Sequence, residues 1–279
     1  MVSKRARALL GTLALATCIA PIPPVRAAPA QTFRVGLIGD TGYNAEGEQN
    51  LLRIREAANS AGLAFVAHDG DIWMGGSWCS DERLRQVKAG LNGFRSLVYA
   101  PGDNEWLDCP NGTAGRLAAI RRIFFSDQLS LGTQPVFQVR QPGVPENARW
   151  EKGGVVFTTL DVPGPNGGGP VAADLAWLDA AFDRAAATRA VAVMVIWQDD
   201  PTDGSSPSLV DKLKARAGAF GKPVMLVHGD THQYKLDNPW RNVPNLTRLE
   251  TYPTFTPQWV KVVVNPADPA VFTVARLRA

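Results

Sequence analysis

The sequence predicts an α/β fold. Short apolar runs alternate with longer segments whose apolar residues recur at helical spacing, the pattern of buried strands separated by amphipathic helices. Four of the apolar runs lead into turns in which a glycine precedes a carboxylate: Gly39-Asp40, Gly70-Asp71, Gly102-Asp103 and Gly229-Asp230. No repeat, low-complexity stretch or linker divides the chain.

Residues 33–39 read as a buried strand, and residues 46–59 as a helix carrying Leu51, Leu52, Ile54 and Ala57 on one side. A strand at 63–67 is followed by a loop rich in Gly, Trp and Ser, a helix near 81–91, a strand at 96–100 and a helix at 114–124. Residues 136–140, 148–151 and 155–160 predict successive antiparallel strands, with Gly153-Gly154 as a turn. A Gly/Pro loop over 163–170 precedes a helix at 172–187, which has Leu175, Leu178 and Phe182 on one face. Strands at 191–196 and 224–227 flank a helix near 208–217. The tail (248–252, 260–264, 271–275) reads as a run of strands.

The first 27 residues read as an export signal. Lys4, Arg5 and Arg7 precede an apolar stretch too short to span a membrane, and Val25-Arg26-Ala27 suits a signal peptidase. A lipoprotein reading through Cys18 competes with this, but Thr17 fits poorly before the cysteine. The leader holds four of the 29 basic residues (Lys4, Arg5, Arg7, Arg26) and none of the 26 acidic ones, leaving 25 against 26. The near-neutral remainder gives no evidence of a nucleic-acid patch. No later run approaches a membrane span, and residues 31–279 suffice for one sizeable core.

Loops at strand ends converge on one crevice in open sheets. Glycine before each carboxylate lets the backbone come close to whatever is bound there. Converging carboxylates repel one another, and a divalent cation is the usual counter-charge.

The order of these motifs resembles the calcineurin-like metallophosphoesterases. It runs from Asp40 through Gly70-Asp71, Gly102-Asp103-Asn104-Glu105 and a strand ending at Gln198 to Gly229-Asp230-Thr231-His232. The resemblance covers residue 33 to about residue 237 and implies a four-layer αββα sandwich of two mixed sheets flanked by helices. It further implies one or two divalent metal ions and hydrolysis of small phosphate mono- or diesters by a metal-bound water. Carried over, Asp40 and Asp71 match metal carboxylates, Asp103 stands for Asn, Gln198 and Asp230 stand for His, and His232 retains the family residue. Asn104 stands where the family has its catalytic His, where it would orient the phosphoryl group, and Glu105 keeps the acidic residue that follows. The fold so implied would bring the loops of Cys79 and Cys109 together. Two cysteines left in an exported chain are more often paired than independent buried thiols.

The departures change the chemistry. Gly42 removes a nitrogen ligand of the first metal, leaving Asp40, Asp71 and His232. The second metal gains an oxygen set of Asp71, Asp103, Gln198 and Asp230, which suits Mg²⁺, Mn²⁺ or Ca²⁺ over Zn²⁺. Asn104 cannot shuttle a proton near neutral pH, and losing general-acid help costs typically ~10²–10⁴-fold. Glu105 is the replacement acid on offer. Two other readings stand beside the hydrolase: a catalytically weak or inactive binding module with a structural metal, and an α/β domain whose Gly-Asp turns are only turns.

Neighbouring residues carry alternatives of their own. His68 is a strand-end hydrogen-bonding residue or a functional group, and His228 supports the site from behind or simply ends its strand. Asp69, Asp199 and Asp200 read as turn residues. Trp73, Trp106 and Trp197 form either a stacking platform or a pocket wall.

Overall fold

Strands β1 (Phe33–Ile38), β2 (Phe65–His68) and β3 (Leu97–Tyr99) lie parallel in the computed structural model, which describes residues 31–164 and 169–279. The expected leader 1–27, with Cys18, and residues 165–168 of the Gly/Pro loop lie outside the described residues. Helices α1 (Ala45–Ser60) and α2 (Asp81–Leu91) connect these strands and begin at side-chain caps. Asn44 Oδ1 accepts from Gly47 N at 2.8 Å and Ser80 Oγ from Arg83 N at 3.1 Å, while acidic residues fill both first turns. Helix α3 (Arg116–Phe124) starts later than the sequence predicts because Gly115 before it is left-handed, at φ 74°.

The second half supplies β4 (Val139–Gln141), β5 (Val144–Lys152), β6 (Val155–Thr159), α4 (Val171–Ala187), β7 (Ala192–Ile196), α5 (Pro207–Phe220) and β8 (Val224–His228). Strands β9 (Lys235–Asp237), β10 (Leu246–Glu250), β11 (Gln258–Val264) and β12 (Phe272–Arg278) complete it. Among the described residues one sheet runs β12-β11-β1-β2-β3 and the other β4-β5-β6-β7-β8-β10-β9, both mixed. The expected antiparallel stretch is β4-β5-β6. Its tight turn needs positive φ at two residues, supplied by Gly153 (58°) and Gly154 (80°).

Three departures from the sequence reading have physical causes. Strand β5 extends back to Val144 although Glu146 and Asn147 look unlike a buried strand. Tertiary partners make the burial tolerable: Arg121 forks onto Glu146 at 2.5–3.0 Å, and Asn147 bonds Asp161 N and Asp174. Strand β9, only three residues at a sheet edge, carries too little pattern to read. The tail divides between sheets: β10 pairs parallel with β8, whereas the β11–β12 pair flanks β1.

The layers follow from which faces are apolar. Val35, Leu37, Phe65 and Ala67 of one sheet pack against Phe157, Met194, Ile196 and Val227 of the other. Ile54, Leu84 and Ile120 of α1–α3 cover the first sheet's outer face, and Leu178, Phe182 and Leu213 of α4 and α5 cover the second's. The four-layer αββα sandwich is thus what the chain forms. Cys79 and Cys109 are bridged, with Cα atoms 5.6 Å apart across a separation of 30 residues.

That bridge closes a loop containing the 102–105 turn. Replacing both cysteines by serine is expected to lower the unfolding free energy by roughly 2–4 kcal/mol, the entropy released by opening a loop of this length. Denaturant unfolding of the oxidised protein and the double variant measures it; equal midpoints would show that the bridge does not constrain the unfolded chain.

Candidate metal centre

Every motif turn sits just past the end of a parallel strand: Asp40 after β1, Asp71 after β2, Asp103 to Glu105 after β3, Gln198 and Asp199 after β7, and Asp230 after β8. Parallel strands present these ends on one edge, so residues distant in sequence meet in one crevice. Backbone bonds lock the turns together: Asp40 N to Gly70 O (3.0 Å), Thr41 N to Asp71 O (2.7 Å) and Gly229 N to Gln198 O (3.0 Å).

The glycines of the motifs are required by space. A Cβ on Gly102 would lie 2.0 Å from Asp71 Oδ1, and one on Gly229 would lie 2.7 Å from Asp40 Oδ2. Asp40 (φ 49°), Asp71 (60°), Asp230 (82°) and His232 (60°) are all left-handed, as are only two other non-glycine residues among those described. Each such conformation costs of order 1–3 kcal/mol and persists only where surrounding structure imposes it.

Asp71 is the centre of the hydrogen bonding. Its Oδ2 accepts from Asn104 Nδ2 (2.8 Å), Tyr43 OH (2.9 Å) and Gln198 Nε2 (3.2 Å), which come from three different turns. The Tyr43 oxygen also lies 3.1 Å from Asp40 Oδ1, 3.1 Å from His232 Nε2 and 3.2 Å from Asn104 Nδ2. Gln198 Nε2 reaches Asp230 Oδ1 at 3.3 Å, and Asp230 N reaches Asp40 Oδ1 at 3.3 Å. Asp40, Asp71, Gln198, Asp230, His232 and Asn104 therefore meet in one bonded cluster. Asp103 approaches from the 102–105 turn: a Cβ on Gly164 would sit 3.8 Å from Asp103 Oδ2 and 3.8 Å from Gln198 Oε1.

Glu105 has a different setting. It is wholly buried, and its oxygens accept from Ile72 N (2.9 Å), Tyr99 OH (2.9 Å) and Gly102 N (3.1 Å), so it braces two turns. Asn104 is likewise engaged, donating to Trp73 O as well as to Asp71 and Tyr43.

His68 is buried and held neutral, its pKa pushed down to about 3 by desolvation. Nδ1 accepts from Gly70 N, which leaves the proton on Nε2 for Thr41 Oγ1 at 2.8 Å. His228 is also buried and neutral, pushed down to about 4 by desolvation, with Nδ1 donating to Gly229 O. Trp73 and Trp197 are fully buried and wall the site, their indole N–H groups bonded to Asn104 O and Asp199 O. Asp200 caps Thr202 and pairs with Arg248 and Lys235, each at 3.5 Å.

Sequence reasoning missed Tyr43 and the part played by Asp199 and Asp203. Asp199 is wholly buried, with Oδ2 accepting from Ser205 Oγ and Oδ1 lacking a protein partner. Oxygens of Asp199, Asp203 and Asp230 all lie within 4.8 Å of one another. The run of acids from Asp199 to Asp203, directly after a strand, was the available signal.

The electrostatics are dominated by crowding. Burial, then Glu105, Asp40 and Asp103, push the Asp71 carboxyl well above the usual range. Burial, then Asp108 and Glu105, push Asp103 up to about 7. Burial alone lifts Glu105 to about 7, and burial likewise raises Asp230 and takes Asp199 to about 7. His232 Nε2 lies 3.5 Å from Asp40 Oδ1, and its bond to that carboxylate raises its pKa.

No protein-family model matches the chain, and no curated protein does. Among solved structures, the 5'-nucleotidase from Candida albicans aligns at a TM-score of 0.52 with 12% identity, covering 88% of this chain and 51% of the nucleotidase. The chain thus spans about half the length of that relative. The Plasmodium protein GAP50 aligns at 0.48 with 8% identity, covering 88% of this chain and 89% of its own, a likeness too low to bear on the argument. The chain shares the fold of that 5'-nucleotidase.

The crowded carboxylates fix a pH dependence. Their folded pKa values exceed the unfolded value near 4, so the folded state binds more protons and stability falls as pH rises from about 4 through about 7. His68 and His228 have lowered values and act in the opposite sense, but only below about 6.5. In chelator, the unfolding temperature is therefore expected to be higher at pH 6.5 than at pH 8, with Mn²⁺ narrowing the gap. Differential scanning calorimetry reads it, and a rise in stability toward pH 8 in chelator would contradict the crowding.

Proposed function

We propose that the chain is an exported, metal-dependent hydrolase of small phosphoric esters. One observation carries this reading: Asp40 Oδ2, Gln198 Oε1 and Asp199 Oδ1 are buried acceptors without a protein donor, gathered among crowded carboxylates. Such oxygens need either protons or a cation. The donor set fits a hard divalent ion, because around Asp103, Gln198 and Asp230 every donor is oxygen, favouring Mg²⁺, Mn²⁺ or Ca²⁺ over Zn²⁺. Asp40, Asp71 and His232 form the adjoining wall. A bound hard cation supplies positive charge for phosphoryl oxygens and acidifies water.

The chain's own residues do the positioning. Asn104, with its amide on Asp71, fixes that carboxylate, and Glu105 holds the turns of Ile72 and Gly102 in register. Neither has a free proton-donating group directed to a leaving oxygen, so the chemistry depends on the leaving group. Export is supported by the basic-then-apolar leader and by the Cys79–Cys109 bridge, which suits an oxidising compartment. Among the described residues no helix is long and apolar enough to cross a membrane.

A second reading, a binding module whose cation is structural, is favoured by the saturation of Asp71 with three neutral donors. One assay separates the two. With Mn²⁺, Mg²⁺ or Ca²⁺, p-nitrophenyl phosphate or bis(p-nitrophenyl) phosphate should turn over, and chelator should abolish it. Asp230→Asn should lower the rate at least ~10²-fold, and alkyl esters should react at least ~10²-fold more slowly than aryl esters. Tight cation binding with no turnover on either ester would leave the binding module.

A further inference from the structure

The oxygens of the crevice divide into two sets: one surrounds the Tyr43 hydroxyl, where Asp40 Oδ2 lacks a donor, and the other holds Gln198 Oε1 and Asp199 Oδ1, both without donors. In the first, the Tyr43 hydroxyl is ringed by Asp71 Oδ2 (2.9 Å), Asp40 Oδ1 (3.1 Å), His232 Nε2 (3.1 Å) and Asn104 Nδ2 (3.2 Å). A phenol donates one hydrogen bond and accepts up to two, so carboxylates on one side and N–H donors on the other satisfy it fully. The ring is wedged as firmly as the hydroxyl. Tyr43 is buried, with His232 and Phe255 edge-on at 5.1 and 5.6 Å. A cation touching Asp40 Oδ1, Asp71 Oδ2 and His232 Nε2 together would have to stand where this oxygen stands.

The second set is short of donors. Gln198 turns its nitrogen to Asp71 and Asp230, an orientation fixed because both partners are carboxylates, and this leaves Oε1 buried and unpartnered. Asp199 Oδ1 is buried and unpartnered beside it. A single point, one bond from Gly164 Cα, lies 3.4 Å from Asp199 Oδ1, 3.8 Å from Asp103 Oδ2 and 3.8 Å from Gln198 Oε1. Asp199, Asp203 and Asp230 offer oxygens within 4.8 Å of one another. Oxygens on opposite sides of a hard cation stand about 4–5 Å apart, so this spacing suits one ion.

We propose that the centre takes one divalent cation, held by Asp103, Gln198, Asp199, Asp203 and Asp230, and that the Tyr43 hydroxyl fills the neighbouring position of a second ion. The inference rests on the reading of the crevice as a cation site, and adds Asp199 and Asp203 as ligands and Tyr43 as the group that sets the number of ions.

Titrating metal-free protein with Mn²⁺ alone tests it, by calorimetry for stoichiometry and electron paramagnetic resonance for spin coupling. Wild type should bind one equivalent with an uncoupled spectrum even in excess Mn²⁺. The Asp199→Asn/Asp203→Asn pair should weaken binding at least tenfold while remaining folded by circular dichroism. Tyr43→Ala should take up a second equivalent and show Mn–Mn coupling, and Tyr43→His, which keeps a ring in the wedge, should do the same. Two coupled ions in wild type, unchanged affinity in the aspartate pair, or a single equivalent in both Tyr43 variants would each overturn the inference. Two equivalents accompanied by ester turnover would remove this inference and leave the hydrolase. No Mn²⁺ binding in wild type would remove both.

Discussion

The buried carboxylate of Asp71 is the constraint from which the rest of the site follows. Its Oδ2 gathers a phenol from the turn after β1, an amide from the turn after β3 and an amide from the turn after β7. The first two turns belong to one sheet and the third to the other. A single oxygen therefore ties the two halves of the sandwich together at the edge where their parallel strands end. The apolar interface between the sheets sets their separation, but side chains such as Phe157 and Met194 cannot choose which strand ends face one another. Directional bonds to Asp71 can.

Holding that carboxylate in place demands strain and closeness elsewhere. Asp40, Asp71, Asp230 and His232 all sit in left-handed backbone, and Gly102 and Gly229 stand where any side chain would strike a carboxylate. Together with crowded acids whose pKa values are driven upward, these features work against folding in the absence of a ligand. A core of three clusters, with a disulfide across the 102–105 turn, supplies the compensating stability.

Strands with continuous apolar runs, such as β7 and β8, were readable because parallel strands buried on both faces leave no polar register to interpret. The Gly-Asp turns were readable for a related reason, since each glycine answers a local steric demand. Strand β5 was underestimated because Glu146 and Asn147 depend on Arg121, Asp161 and Asp174, none of them near in sequence. Tyr43 was invisible on the same grounds: a tyrosine three residues past a metal-type aspartate has no local mark of reaching Asp71, His232 and Asn104 at once. Spacing along the chain identifies which loops meet, whereas which atoms touch is decided by tertiary packing.

The replacements at the site are chemically coherent as a set. Where the resemblance expects imidazoles, this chain carries Asn104, Gln198 and Asp230, and each now bonds another member of the cluster. The amides supply N–H donors to Asp71, a role a positive ion would otherwise fill, and they do so without charge. Neutral donors weaken the need for a cation beside Asp71, while Asp199, Asp203 and Asp230 gather carboxylate oxygens within 4.8 Å of one another. The electrostatic demand of the crevice has thus moved from its middle to one side. That displacement would separate the strand-tying role of Asp71 from the cation-holding role proposed for its neighbours, so loss of one need not entail loss of the other.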